Sequence, residues 1–536
     1  MSKTCIKLTV ILLFTSIILQ GCVFPAPQTP EQLEPEESPR IEEPSHDVPP
    51  DIKPPTPGQF TLRYDPNSSL NPIMTQNRDN ILLSSLLYES LFVLDGSLNV
   101  SPLLCESWST EDNVVFTFRI IPDVVMSDGT MLTADDVAYS LRQAMLRGRY
   151  IHRFRTVASV AATADLTVTL ELYAPNSRFI RLLDVPIIKN GSIENRIPPG
   201  TGPYVFAGNE EMRLDRSPDH RDYNRLPIST IYLRACGDSE LTELFDDGKL
   251  SLLWDDPADV FDIRLNRLHD RRFYDTTMLQ FIGFNANHIA LRDPDVRRAI
   301  AVSIERQHII DTVLSGHALA APLALSPAFY LYDTDWERRD LPPLREMAEL
   351  LVRAGLEDAN DCSFLELSDG FGGYFEFTID FIVNSENTYK VRAAHMITNT
   401  LRRNGLDVTV RELPWDRFMN ALQTGNFDMY YGEMMLGADF NLTPLLLPGG
   451  LNYGKTASSD YRPYLEDFLT AREDEWISWA AKRLIDEIMF NAPFAPILYK
   501  RHAVYTPIGA IFGAEPSQSG VFHNFPDWTI NLYMLT

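Results

Sequence analysis

Cysteine is scarce in this 536-residue chain: Cys5, Cys22, Cys105, Cys236 and Cys362 make up the full set, and no two form a C-x-x-C pair. That spacing excludes a zinc ribbon and a thioredoxin-like redox site. The three beyond residue 100 are far apart in sequence and read as small buried apolar residues, with one disulfide left open in an oxidising compartment. The patterns G-x-S-x-G, H-E-x-x-H and G-x-x-x-x-G-K-[ST] are missing. Gly370-Phe371-Gly372-Gly373 is too short for a dinucleotide loop and reads as a flexible loop between acidic turns. The ten histidines are scattered; His152, His220, His269 and His502 stand beside Arg or Asp and are expected at the surface. No metal site, cofactor or enzyme activity is expected, although a glycosidase-like carboxylate pair stays open because pairing is spatial. Positive charge is also in short supply. Against 73 acidic residues stand 47 Lys and Arg, for a net charge of −26, which repels nucleic acid rather than steering it in.

Apolar residues make up 45% of the chain, an ordinary globular share, and the length suits two or three substructures at roughly 100–200 residues per domain. Lys3 and Lys7 precede an apolar run from Leu8 to Leu19, broken only by Thr and Ser. That run fits a signal-peptide core and is short for a membrane span of about 20 residues. Leu19-Gln20-Gly21-Cys22 follows and resembles the bacterial lipobox, in which small residues precede a cysteine that is lipidated and becomes the mature N-terminus. Residues 1–21 are therefore expected to be a lipoprotein signal peptide and Cys22 the lipidation site. Residues 22–58 are crowded with Pro, Glu and Asp and lack core-forming residues, which predicts an extended tether.

From Phe60 onward the signals are mixed. Thr117–Ile121 reads as a strand, and Thr133-Ala134-Asp135-Asp136 as a capped helix start leading to Val137, Leu141 and Met145 at helical spacing. Leu166–Leu172 alternates strictly, as a half-buried strand does. Val296–Val313 reads as one helix and Met347–Ala354 as another, stopped by Gly355. Phe377–Val383, Tyr389–Arg403 and Asp407–Glu412 form a strand–helix–strand series that predicts a parallel α/β unit.

Several segments together resemble the ABC-importer binding proteins that include oligopeptide, dipeptide and nickel binders, solute-binding protein family 5. They are Glu106-Ser107-Trp108, Phe116–Arg119, Ser127–Val137, Gly200-Thr201-Gly202-Pro203-Tyr204, Gly283-Phe284-Asn285, Asp295–Ile300, Trp415, Gly425–Met429 and Pro493–Tyr499, in the family's order. Most should hold backbone geometry and never touch ligand.

The resemblance implies an α/β, two-lobed periplasmic-binding-protein-like fold of type II, cluster C, with a hinge. Lobe 1 would span 59–274, with an inserted sub-domain at about 85–195; lobe 2 would span 275–499; and residues 500–536 would return to lobe 1. The crossings would lie near Thr276–Phe281 and Tyr499–Tyr505. It also implies capture of an extracellular peptide and delivery to an ABC permease complex, by a monomer held to the membrane through its N-terminal lipid. Asp439, in Leu436-Gly437-Ala438-Asp439-Phe440, matches the acid that pairs with a peptide's ammonium. The family often has tryptophan where Leu436 stands, and Pro444 falls about one residue late. Trp415 and Tyr499 match further ligand neighbours, and Tyr430, Tyr431, Met434 and Met435 suit either a tolerant pocket or a buried strand. A nickel chelate or an oligosaccharide is the alternative solute; a surface hydrolase is the alternative from another class.

Overall fold

A computed structural model describes residues 57–536, apart from 209–210, 257–262, 339, 341, 361–362, 456–460 and 536. The expected signal peptide, Cys22, all but the end of the tether, and Cys362 lie outside the described residues.

The Thr133 start is a full capping box. Asp136 N donates to Thr133 Oγ1 at 3.4 Å, and Thr133 N donates to Asp136 Oδ2 at 2.8 Å. The helix Ala134–Leu146 lays Val137, Leu141 and Ala144 onto a four-stranded antiparallel sheet, in the order Cys105–Ser109, Val115–Ile120, Thr167–Leu172, Val157–Ala164. The alternation in Thr167–Leu172 sends Val168, Leu170 and Leu172 inward, where they meet Phe116 and Phe118. Burial pushes the Cys105 thiol in this core up to about 11. Cys105 and the half-buried Cys236 are free thiols.

A second four-stranded sheet runs Thr61–Arg63, Thr230–Arg234, Arg213–Arg216, Tyr204–Ala207. Its approach is fixed by Gly202, whose N–H donates to the Leu87 carbonyl at 3.0 Å. A Cβ at this position would lie 2.2 Å from Leu87 C and 2.5 Å from Tyr88 N. Both are backbone atoms with no rotamer to escape into. Gly202→Ala is therefore expected to destabilise the protein by about 1–3 kcal/mol or more, read as a lower urea midpoint.

The largest sheet is built on two long antiparallel strands, His269–Phe284 and Phe494–Pro507. They pair from His269↔Pro507 to Gly283↔Phe494, with register shifts between Asp275 and Leu279 and between Gln280 and Phe281. Side chains take over the ladder at the first shift. Thr276 Oγ1 donates to Lys500 O at 2.7 Å, and Thr277 Oγ1 donates to Leu436 O at 2.6 Å. Outward from His269–Phe284 lie Met429–Met435, Ile379–Asn384 and Val408–Leu413; outward from Phe494–Pro507 lie Leu253–Asp255 and Ala318–Ala320. Ile379–Asn384 is parallel to both Val408–Leu413 and Met429–Met435. Helix Thr388–Arg403 makes the crossover, its chain turning at Gly405 with φ of +89°.

Three expectations need correction. Val296–Val313 is two helices, Pro294–Ser303 and Arg306–Val313. The break at Ile304–Glu305 is held by the Arg306 guanidinium, which donates to the carbonyls of Ala301, Ala321 and Pro496 at 2.8–3.0 Å. It thereby caps the Ala301 carbonyl, which a continuous helix would have used, and ties the break to the chain at Ala321 and Pro496. Gly370–Gly373 is a hairpin turn between Glu366–Ser368 and Tyr374–Phe375, fixed by Asp369 accepting from Phe371 N and Gly373 N at 2.7 and 2.8 Å. His220 and His502 are not at the surface. The His220 ring is buried against Glu89, 3.3 Å away, and His502 is buried between Trp254 and Tyr274.

Candidate functional site

The three parallel strands end on one edge of the large sheet, where open α/β sheets collect ligands because loops diverge there. Three loops leave this edge: Ser385–Asn387, Pro414–Trp415 and Leu436–Phe440. Trp415 N donates to Glu386 Oε1 at 3.1 Å and so ties the first two together. The Trp415 ring is 50% exposed and stacks on Phe418, with centroids 6.1 Å apart. It opens helix Trp415–Thr424 and is not a core side chain.

The third loop is the tightest. Leu436 is buried, and its backbone is clamped on both sides by Thr277: Leu436 N donates to Thr277 O at 3.0 Å, and Leu436 O accepts from the Thr277 hydroxyl. At Gly437 an added Cβ would meet Asp439 Oδ1 at 2.6 Å and Leu182 Cδ2 at 3.2 Å. The small residue thus lets this loop close against the Phe179–Leu182 turn. Phe440 sits in the left-handed region with φ of +54° and donates N–H to Gly437 O at 2.9 Å. Strained backbone of this kind persists where surrounding contacts over-determine it, here an edge-to-face contact with Phe329 at 5.1 Å.

Asp439 is 3% exposed. Its Oδ2 accepts from Asn176 Nδ2 at 2.9 Å, and its backbone carbonyl accepts from Arg178 Nε at 3.2 Å. Burial raises the carboxyl above its ordinary value, and the Asn176 hydrogen bond and the Arg178 charge only partly offset that. Burial also lowers Arg178 to about 10, against the pull of Asp439, so it stays charged at neutral pH. The segment from Asn176 to Leu182 makes further contacts to the loops beyond Asp439. Ser177 N donates to Leu469 O at 2.8 Å, Ser177 Oγ donates to Ala471 O at 2.5 Å, and Arg181 lies over Tyr330. Tyr499 is fully buried, with its hydroxyl donating to Ala324 O at 2.7 Å. Leu436, Gly437 and Asp439 are thus gathered in one loop. Trp415 follows a strand two places away, and the Tyr499 hydroxyl is directed at Ala324 instead.

A second cluster, invisible to motif reading, lies where the two long strands shift register. Glu433 Oε2 accepts from Gln280 Nε2 at 2.7 Å and Tyr389 OH at 3.1 Å, with Lys390 Nζ at 3.3 Å and Lys500 Nζ at 3.9 Å. Lys500 also pairs with Asp256, and His502 Nε2 is 3.6 Å from the same carboxylate. Burial would raise the Asp256 carboxyl, but His502 and Lys500 outweigh it and hold the group well below the usual range. Glu433 is likewise lowered despite burial, by Lys390, Lys500 and Gln280. Burial depresses Lys390, with Glu433 opposing. The period-2 spacing of Lys500 and His502 marks them as one face of a strand; nothing in sequence links them to Asp256, Glu433 or Lys390. Among the described residues, no group of His, Cys, Asp and Glu is arranged to hold a metal ion.

Residues 99–450 match the model for bacterial extracellular solute-binding proteins, family 5 middle region. The oligopeptide-binding protein AppA of Bacillus subtilis is 21% identical over 462 residues, 79% of this chain and 83% of that protein. Among solved structures, AppA from Bacillus subtilis in complex with a nonapeptide aligns with a TM-score of 0.64 at 19% identity, over 89% of this chain and all of that one. NikA from Brucella suis in complex with Fe(III)-EDTA aligns with a TM-score of 0.70 at 17% identity, over 88% and 99%. These likenesses carry the fold, an α/β two-lobed periplasmic-binding-protein-like architecture, and the matched span carries the family: the chain belongs to the bacterial extracellular solute-binding proteins of family 5.

Proposed function

We propose that this protein, anchored by a lipid on Cys22, captures a peptide in the cleft between its lobes and delivers it to an ABC permease without chemical turnover. The lobes are 59–274 with its sub-domain, completed by 500–536, and 275–499. The two long strands form the hinge, with the register shift at Asp275–Leu279 as the point where the paired backbone bends. A ligand touching both lobes stabilises the closed state, which is the form the permease reads.

The observation that carries the peptide reading is the Asp439 carboxylate. It is buried at the place where the two walls meet, and its oxygen accepts from an N–H donor of the opposite wall, the Asn176 amide. A peptide's terminal ammonium is a stronger donor for the same oxygen, because its positive charge adds an ion pair to the hydrogen bond, whereas the Asn176 amide is neutral. It displaces Asn176 and brings the partner that a desolvated carboxylate needs.

Thermal melting of the purified protein with trialanine, N-acetyl-trialanine, oligosaccharides and nickel chelates tests this. A ligand that binds the folded state raises the melting temperature by mass action. The free-amine peptide is expected to do so and its acetylated form is not; a shift from sugars or chelates alone would sink the peptide reading. The ammonium requires ionised Asp439, and that group is raised above its ordinary value. On acidification, peptide affinity is therefore expected to fall before an unperturbed carboxyl of about 3.9 would protonate.

A further inference from the structure

We propose that the solute held at Asp439 carries a carboxylate beside its ammonium, and that Arg178 receives that carboxylate. This rests on reading Asp439 as the ammonium anchor. Arg178 is 4% exposed. Its guanidinium is fixed on two sides: Nε donates to the Asp439 carbonyl at 3.2 Å, and Cζ lies over the Phe468 ring, 4.0 Å from its centre. Nη1 and Nη2 are buried with no hydrogen-bond partner among the described residues. Contact between the two walls uses Nε and the carbon over the ring, so the fork itself is unspent. A guanidinium fork matches a carboxylate through two parallel hydrogen bonds, and leaving two charged donors buried without acceptors is unfavourable.

The charges around Asp439 point the same way. Arg153, Arg178 and Arg181 all interact electrostatically with it. Arg153 is committed to Asp184, and Arg181 to the Leu98 carbonyl and the Tyr330 ring. An isolated ammonium entering here satisfies Asp439 but faces an unanswered guanidinium. A group with adjacent positive and negative charges answers both. Two chemistries supply it: an α-amino acid head left free by a γ-linkage, or an ordinary peptide beginning with Asp or Glu.

Titration calorimetry of the purified full-length protein with γ-Glu-Ala-Ala, Glu-Ala-Ala, trialanine and N-acetyl-trialanine separates these outcomes. At least one acidic peptide is expected to bind about tenfold or more tighter than trialanine, and the stronger of the two identifies the source of the carboxylate. Arg178→Gln is expected to bring that ratio near one, whatever it does to overall affinity. Arg178→Lys, which keeps charge without the fork, is expected to retain only part of it. A wild-type ratio near one, or a ratio unchanged in Arg178→Gln, overturns the proposal and leaves Arg178 as a stitch between the walls. If Arg178→Gln does not fold, the wild-type ratio and Arg178→Lys decide. Binding of N-acetyl-trialanine equal to that of trialanine overturns the Asp439 reading instead, and this proposal with it.

Discussion

Asp439→Asn is expected to weaken a free-amine peptide about thirtyfold or more, since removing one member of a buried, hydrogen-bonded charge pair costs about 2–5 kcal/mol. The substitution is close to isosteric. With its carbonyl oxygen at the Oδ2 position the variant keeps the bond from the Asn176 amide, and gives up only the long one, 3.3 Å, from the Asn441 backbone N–H to Oδ1. Loop geometry should survive, so the melting temperature without ligand is expected to change little. Replacing a buried carboxylate whose titration point is raised with a neutral amide offsets the lost Asn441 bond. Calorimetry with trialanine gives the affinity, and a melt of the ligand-free protein controls for folding. Undiminished binding in a folded variant would remove Asp439 from the site and return the loop to a structural role.

Lys500→Met is expected to give the largest stability loss, about 3–5 kcal/mol at neutral pH. The Lys500 ammonium pairs with Asp256 and lies 3.9 Å from Glu433, and all three groups are largely buried. Removing it leaves two desolvated carboxylates with Lys390 and His502 as their remaining partners, and the penalty is that of under-compensated buried charge, not of a lost surface contact. The pH profile distinguishes these. Asp256 and Glu433 titrate below their ordinary values in the folded protein. In the wild type their contribution is fully present above an unfolded value of about 4 and is lost as pH falls through the folded values. The variant lacks much of that contribution, so its deficit should be widest near neutrality and narrow below about pH 4. Urea midpoints of both proteins across that range measure it. An equal deficit at every pH would mean that the lysine acts through packing of its methylenes.

Local features were legible in the sequence because their causes are local. Thr133 caps its helix with residues three positions away. The strand–helix–strand series of 377–412 announces itself through two changes of hydrophobic period and a glycine that turns the chain at positive φ. One reading of the same kind failed at Ile304–Glu305. The apolar stripe there runs on unbroken, yet Arg306 draws carbonyls from Ala321 and Pro496 that no local pattern contains. His220 and His502 failed similarly. A charged neighbour in sequence suggested solvent, whereas Glu89 and Asp256, brought from more than 100 residues away, line buried positions instead.

The candidate site divides along the same line. The order of short blocks from Glu106 to Tyr499 sufficed for family, for fold class and for placing Asp439 in a loop after a buried strand, because those blocks encode turns, caps and strand ends. What stands opposite Asp439 was not readable. Asn176 and Arg178 reach it across 263 and 261 residues of sequence, and Asp256 meets Lys500 across 244. Periodicity and capping act over a few residues, whereas the desolvation and pairing of charge depend on which distant surfaces the fold presses together. The sequence alone therefore determined the scaffold and the loop that carries Asp439, and the tertiary structure decided the charges that face it.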